Sequence, residues 1–181
     1  LEQIFRYIGV QSQDAIDVVY RKGAPSGVVW VTPNPWIVSS DMNTYDNLTW
    51  PLKDEMDDIP VANLGNVRVR YGNYEGYNFA LIAVPQTGST IPTKLLVYNL
   101  DTIKPAVWTL PATQEITALH YWVNPSTNLP QILWSVDDEK MYTFNVAQSQ
   151  DLSSSDVAAS FTATAQTTWQ DFGSPHIRKS L

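Results

Sequence analysis

From Val67 onward, apolar and polar positions fall into short runs that are written twice. The first copy reads VRVRYGNYEGY (67–77), NFALIAVPQ (78–86), KLLVYNL (94–100) and AVWTL (106–110). The second reads ITALHYWVN (116–124), PQILWSVDD (130–138) and KMYTFNV (140–146), followed after a polar gap by SFTATAQTTW (160–169). Each copy has an aromatic-rich run, a nearly all-apolar run, a short run with a tyrosine near its centre and a run carrying a tryptophan. Short lengths, β-branched and aromatic enrichment, and Gly, Pro, Asn and Asp at the joints are strand signals. Four short strands recurring as a unit predict the blade of a β-propeller. The fold expected is therefore all-β, built of propeller-like blades of four-stranded antiparallel sheets, with a β-sandwich as the alternative.

The earlier part of the chain carries a looser version of the same pattern. Ile4 to Val10 reads as a strand or a single helical turn. IDVVYRKG (16–23) is a strand closed by the turn residues of Gly23 to Gly27, and GVVWVTP (27–33) is a buried one. Pro33 and Pro35 stop it, because proline has no N–H for a ladder. Trp36 to Ser40 is a third strand and NLTWPL (47–52) a fourth, with Trp50 in the place that Trp108 and Trp169 take later. The candidate blades are 16–52, 67–110 and 116–169 within one all-β region, 1–181. Those tryptophans are spaced by about sixty residues, more than the roughly 40–50 of a compact blade, so loop insertions are required. KDEMDDIPVANLGN (53–66) is an acidic connection, and Gln148 to Ser160 a loop or short helix. Helix should be scarce. In ITALHYWV neither alternating face is polar throughout, which predicts a strand covered on both sides.

Composition narrows the function classes. Only 16% of the 181 residues are charged and the net charge is −7, whereas apolar residues make up 44% and aromatics 12%. A lightly charged acidic chain lacks the clustered Lys and Arg that phosphate contacts need, so direct sequence-specific nucleic-acid binding is not expected. The absence of cysteine removes disulfides, thiol chemistry and cysteine-ligated zinc. No run has the length of a membrane-spanning helix, and membrane insertion is not expected. The chain begins without Met and stops just after Arg178-Lys179, and it reads as a piece of a longer polypeptide.

The candidate chemistry is thin. Asp54, Glu55, Asp57 and Asp58 form the densest acidic run, but they lack the alternating spacing of a calcium loop, and a solvated loop is the simpler reading. Asp137, Asp138 and Glu139 fall at a hairpin tip, where Asp serves turns, though paired carboxylates also hydrolyse glycosides. His120 and His176 are the only histidines. His120 alternates with large apolar residues and is expected in the core; His176 is expected in an exposed basic stretch. No nucleophile elbow, phosphate loop or dinucleotide fingerprint occurs. The expectation is no enzyme, no catalytic residue, no metal and no cofactor. Tyr71, Tyr74 and Tyr77 flank glycines in YGNYEGY and form the candidate contact surface, for a sugar ring or a protein; packing between blades is the competing role. Asn47-Leu48-Thr49 matches a glycosylation sequon, with little weight because it overlaps a strand.

One stretch resembles a known family. A Thr/Ala-rich strand leads into Trp169-Gln-Asp-Phe-Gly-Ser-Pro175 and then Arg178-Lys179. This resembles the junction at which a β-propeller-like domain of tailed-bacteriophage structural proteins passes into further β domains of a tail hub, nozzle or connector. LLVYNLDT and MYTFNVA ahead of a tryptophan strand suit the same picture. The resemblance implies a virion protein of the tail, acting through interfaces with copies of itself in a ring and with other virion proteins. The alternatives are a secreted or cell-surface module that binds carbohydrate or protein, and a propeller-type glycoside hydrolase.

Overall fold

The computed structural model describes residues 9–21, 24–41, 43–74, 76–109, 115–126, 130–136, 141–143, 151–152 and 158–159. The apolar runs form antiparallel sheets in which each strand pairs with its neighbour in sequence. The first sheet is β1 (Ile16–Arg21), β2 (Ala24–Val31), β3 (Ile37–Ser40) and β4 (Tyr45–Asn47), in that order. The second is β5 (Arg68–Tyr74), β6 (Tyr77–Val84), β7 (Lys94–Asn99) and β8 (Lys104–Thr109), again in order. The third contains β9 (Ile116–Val123), β10 (Pro130–Val136) and β11 (Met141–Thr143), with β10 in the middle. All three lie in one compact unit, Leu1–Phe144. In a separate unit, Asn145–Leu181, β12 (Asp151–Leu152) pairs antiparallel with β13 (Ala158–Ala159). Among the described residues the chain is thus mostly β.

The same device closes several joints: a short polar side chain accepts main-chain N–H groups just ahead of it, which stabilises a turn locally. Asp41 Oδ1 accepts the N–H groups of Asn43 and Thr44 between β3 and β4. Asn99 Oδ1 accepts those of Asp101 and Thr102 between β7 and β8, and Asn124 Oδ1 that of Ser126 after β9. Between β5 and β6 the tight turn is permitted by Gly76, whose φ of 84° a side chain would resist.

Two apolar layers hold the stack. One joins Val19, Val29, Val31 and Ile37 of the first sheet to Val69, Tyr71, Ile82, Leu96 and Tyr98 of the second. The other joins Leu81, Ala83, Leu95 and Val97, on the opposite face of the second sheet, to Ile116 and Leu119 of the third. Strands β6 and β7 are therefore buried on both faces, which is why FALIAV and LLVY read as unbroken apolar runs. Ile116 and Leu119 share a face although they are three apart. A bulge makes this possible: Val136 pairs with Ile116 but Ser135 with Ala118, so Thr117 is the extra residue.

Four expectations are corrected. ITALHYWV is not covered on both sides: only Ile116 and Leu119 are buried, and β9 is an edge of its sheet. Position, which composition does not encode, decides this. NLTWPL is not a fourth strand. The fourth strand lies earlier, at Tyr45–Asn47, and Trp50–Leu52 is a 3-10 turn, with Pro51 unable to join a ladder. Trp50 is 80% exposed whereas Trp108 lies half-buried in β8, so the two are not equivalent. The acidic connection is not a plain loop, since it holds α1 (Lys53–Asp57) and a 3-10 turn at Val61–Asn66. The candidate strand at 160–169 lies outside the described residues.

Candidate functional site

Where the three sheets meet, their first strands lie side by side, with β5 between β1 and β9. Tyr71 of β5 is the hub. Its ring centroid lies 5.9 Å from that of Tyr20 on β1 and 6.3 Å from that of Tyr121 on β9, in tilted geometry. Tilted pairs at this spacing are favourable because the edge of one ring meets the face of the next. The Tyr71 hydroxyl sits 2.5 Å from both the Tyr20 carbonyl oxygen and Asn78 Oδ1, and shares its one proton between them. Asn78 in turn donates through Nδ2 to Asp101, at 2.9 Å to one carboxylate oxygen and 3.1 Å to the other.

Charged groups tie the same strands together. Asp17 of β1 accepts the Tyr71 N–H at 2.7 Å and the Val18 N–H at 2.8 Å. Asp14 receives Arg68 at 3.2 Å and Arg70 at 3.0 Å, one guanidinium on each carboxylate oxygen. A carboxylate accepting main-chain N–H groups orients a strand more strictly than a surface ion pair does. These contacts set β1 against β5 and leave little chemistry free.

The candidate contact tyrosines do not act as one surface. Tyr71 is only 6% exposed and is held as described. Tyr74 pairs with Tyr77 at the tip of the β5–β6 hairpin, and Tyr77 is 53% exposed. Their strand positions explain the split: Tyr71 has the parity of Val67 and Val69, which face the first sheet.

The acidic run is drawn into separate contacts. Asp57 pairs with Lys53 one turn away, Glu55 receives Lys94 Nζ at 2.5 Å, and Asp58 Oδ1 accepts the Thr87 hydroxyl at 2.8 Å. No group of three His, Asp or Glu side chains able to hold a metal converges among the described residues. His120, expected in the core, is exposed, because its alternating face on β9 is the uncovered one. Asp137, Asp138, Glu139 and His176 lie outside the described residues. Asn47 is exposed, and its side-chain oxygen accepts the Thr49 N–H at 2.9 Å.

Large exposed apolar side chains escaped the sequence reading. Trp122 at 38% and Met141 at 70% stand on the third sheet, on the face opposite Leu119. Trp36 at 43% and Trp50 at 80% stand near one end of the first sheet, flanking Ile37 and Thr49. Thr49 fixes that end: its buried hydroxyl oxygen accepts the Ile37 N–H at 2.8 Å, and the Leu48 N–H reaches the Ile37 carbonyl at 2.8 Å. No protein-family pattern matches this chain, and comparison with curated proteins finds no match either.

Proposed function

We propose that the chain is a propeller-like stretch of a structural subunit of a tailed-phage virion, working in a tail or head-to-tail assembly through subunit interfaces. The observation that carries the propeller part is the side-by-side placement of β1, β5 and β9, the first strand of each consecutive meander. Blades of a propeller are arranged in this way, with first strands grouped at the centre and later strands running outward. The exposed Trp122 and Met141 support an interface role, because uncovered aromatic and Met side chains favour protein contacts. The phage setting rests on the sequence resemblance. In that setting the subunits form a ring, whose head-to-tail contacts join two different faces.

Native mass spectrometry of the assembly that contains the protein tests this reading. A subunit heavier than the 20.3 kDa of this chain, in a symmetric ring, is the expected result. A free monomer near 20.3 kDa would overturn it. The exposed Trp50 and Tyr77 favour a second reading, a module that stacks aromatic rings on sugars or on a partner protein. Sugar titration followed by tryptophan fluorescence separates the two, since saturable quenching belongs only to the second.

A further inference from the structure

The inner face of the first sheet changes character along its length. Val29, Val31 and Ile37 bury against the second sheet. Continuing with the same alternation, the next positions are Gly27, Ser39 and Asp46, with Ser39 paired to both Val29 and Asp46. These positions prolong the buried stripe but hold a glycine, the half-buried Ser39 and the exposed Asp46. The result is a cleft of about 170 Å³ between this end of the sheet and the β7–β8 hairpin.

One side of the cleft is apolar, formed by Val19, Leu48 and Leu100, which are buried, and by Ile103, which is exposed. Ile103 has a φ of 56°, a conformation that a β-branched residue adopts only at a cost. The other side presents hydrogen-bond acceptors. The Ser26 hydroxyl already donates to the Val19 carbonyl at 3.1 Å, so it offers the cleft oxygen lone pairs. Asp46 has no ion pair with any described Lys or Arg, nor does Asp41. Two N–H groups and the Thr44 hydroxyl bond to Asp41 Oδ1, which holds its carboxyl below the usual value and keeps it ionised. An acceptor wall facing an apolar wall matches a donor-bearing cation on a hydrocarbon stem. A hydrated divalent cation suits it poorly, since calcium takes six to eight oxygens and has no use for the apolar side.

We propose that this cleft binds a primary ammonium group on a short apolar chain, the stem against Leu48, Leu100 and Ile103 and the charge against Asp46 and Asp41. The chemistry is shared by a free alkylamine and by a lysine side chain of a partner protein. It does not depend on the virion reading above.

The test is titration of the isotope-labelled protein at low ionic strength, followed by amide chemical shifts. Four probes are compared: n-butylammonium, its neutral isostere n-butanol, Nα-acetyl-lysine methylamide, and Ca²⁺. The expected result is saturable shifts for the ammonium probes at residues 26–28, 39–41, 46–48 and 100–103. Added salt should weaken binding, and Asp46→Asn should weaken it at least tenfold, because a charge-assisted hydrogen bond is lost. Asp46 is exposed, so this variant should keep the wild-type circular dichroism spectrum and melting temperature. If that variant loses its fold, Ile103→Gly serves instead, removing the stem contact while relieving the backbone. Equal binding of the blocked lysine and butylammonium identifies a partner's side chain as the occupant; preference for the free amine identifies a small molecule. Butanol binding as well as butylammonium, Asp46→Asn binding unchanged, shifts elsewhere, or tighter saturation by Ca²⁺ at the same amides would each overturn the proposal.

Discussion

Single residues in this protein are held by geometry that their neighbours in sequence do not announce. Ile103 has the backbone conformation usually given to Gly or Asn, at a cost of roughly 1–2 kcal/mol for a residue with a Cβ. Its side chain is 54% exposed, so little burial is lost on removing it. Ile103→Gly should therefore raise stability by about 0.5–1 kcal/mol in urea unfolding. Gly27 is the opposite case: a Cβ there would lie 2.1 Å from the Ser40 carbonyl oxygen on the paired strand. Gly27→Ala should cost about 3 kcal/mol or more, because backbone rather than a flexible side chain must give way. Tyr98, buried with its ring among apolar neighbours, has its phenol pKa raised by desolvation, as does Tyr121. Both groups are easier to ionise once the chain unfolds. The stability they contribute is complete below the ordinary value of 10.0 and falls as pH rises above it. Denaturant midpoints measured between pH 8 and 11 should stay level at first and then decline. The behaviour of these four positions was not legible in the sequence, since each depends on a contact or a dihedral that the folded chain sets. For the same reason YGNYEGY did not reveal that Tyr71 turns inward while Tyr77 stays out.

Strands were far more legible than their surroundings. FALIAV and LLVY, buried on both faces, announced themselves because both alternations are apolar and the joints carry Gly, Asn or Thr. ITALHYWV has a similar composition but is an edge strand with one open face, and periodicity has no means to express that. The short helix α1 was hidden because five residues give no measurable helical period. Energetics should follow burial and not appearance. Ile82→Ala, in the fully buried centre of β6, should cost about 2–5 kcal/mol. His120→Ala, on the exposed face of β9, should stay within about 0.5 kcal/mol of wild type. Equal costs in parallel thermal melts would refute the layer assignment for these two strands.

For the molecule as a whole, the uncovered face of the third sheet separates assembly from stability. Replacing Met141 by Glu should leave the melting temperature of the isolated chain nearly unchanged, since its side chain is 70% exposed. If that face is an interface, the same variant should fail to enter the assembly in a sedimentation assay; normal incorporation would remove it from consideration. The acceptor side of the cleft was not legible in the sequence, because Ser39 and Asp46 fall in the polar run SSDMNTYDN and only the pairing of β3 with β4 brings them together. The nearest-neighbour order within every sheet also bears on how the chain reaches this state. Each ladder closes over a short loop, so hairpin formation has a small entropic barrier. The contacts of Tyr71 with Tyr20 and with Tyr121 close over about fifty residues each and carry the larger loop-closure cost. During synthesis β1 to β4 leave the ribosome before β5 does, so the side chains of the first sheet that pack on the second, Val29, Val31 and Ile37 among them, lack that cover until β5 to β7 are made.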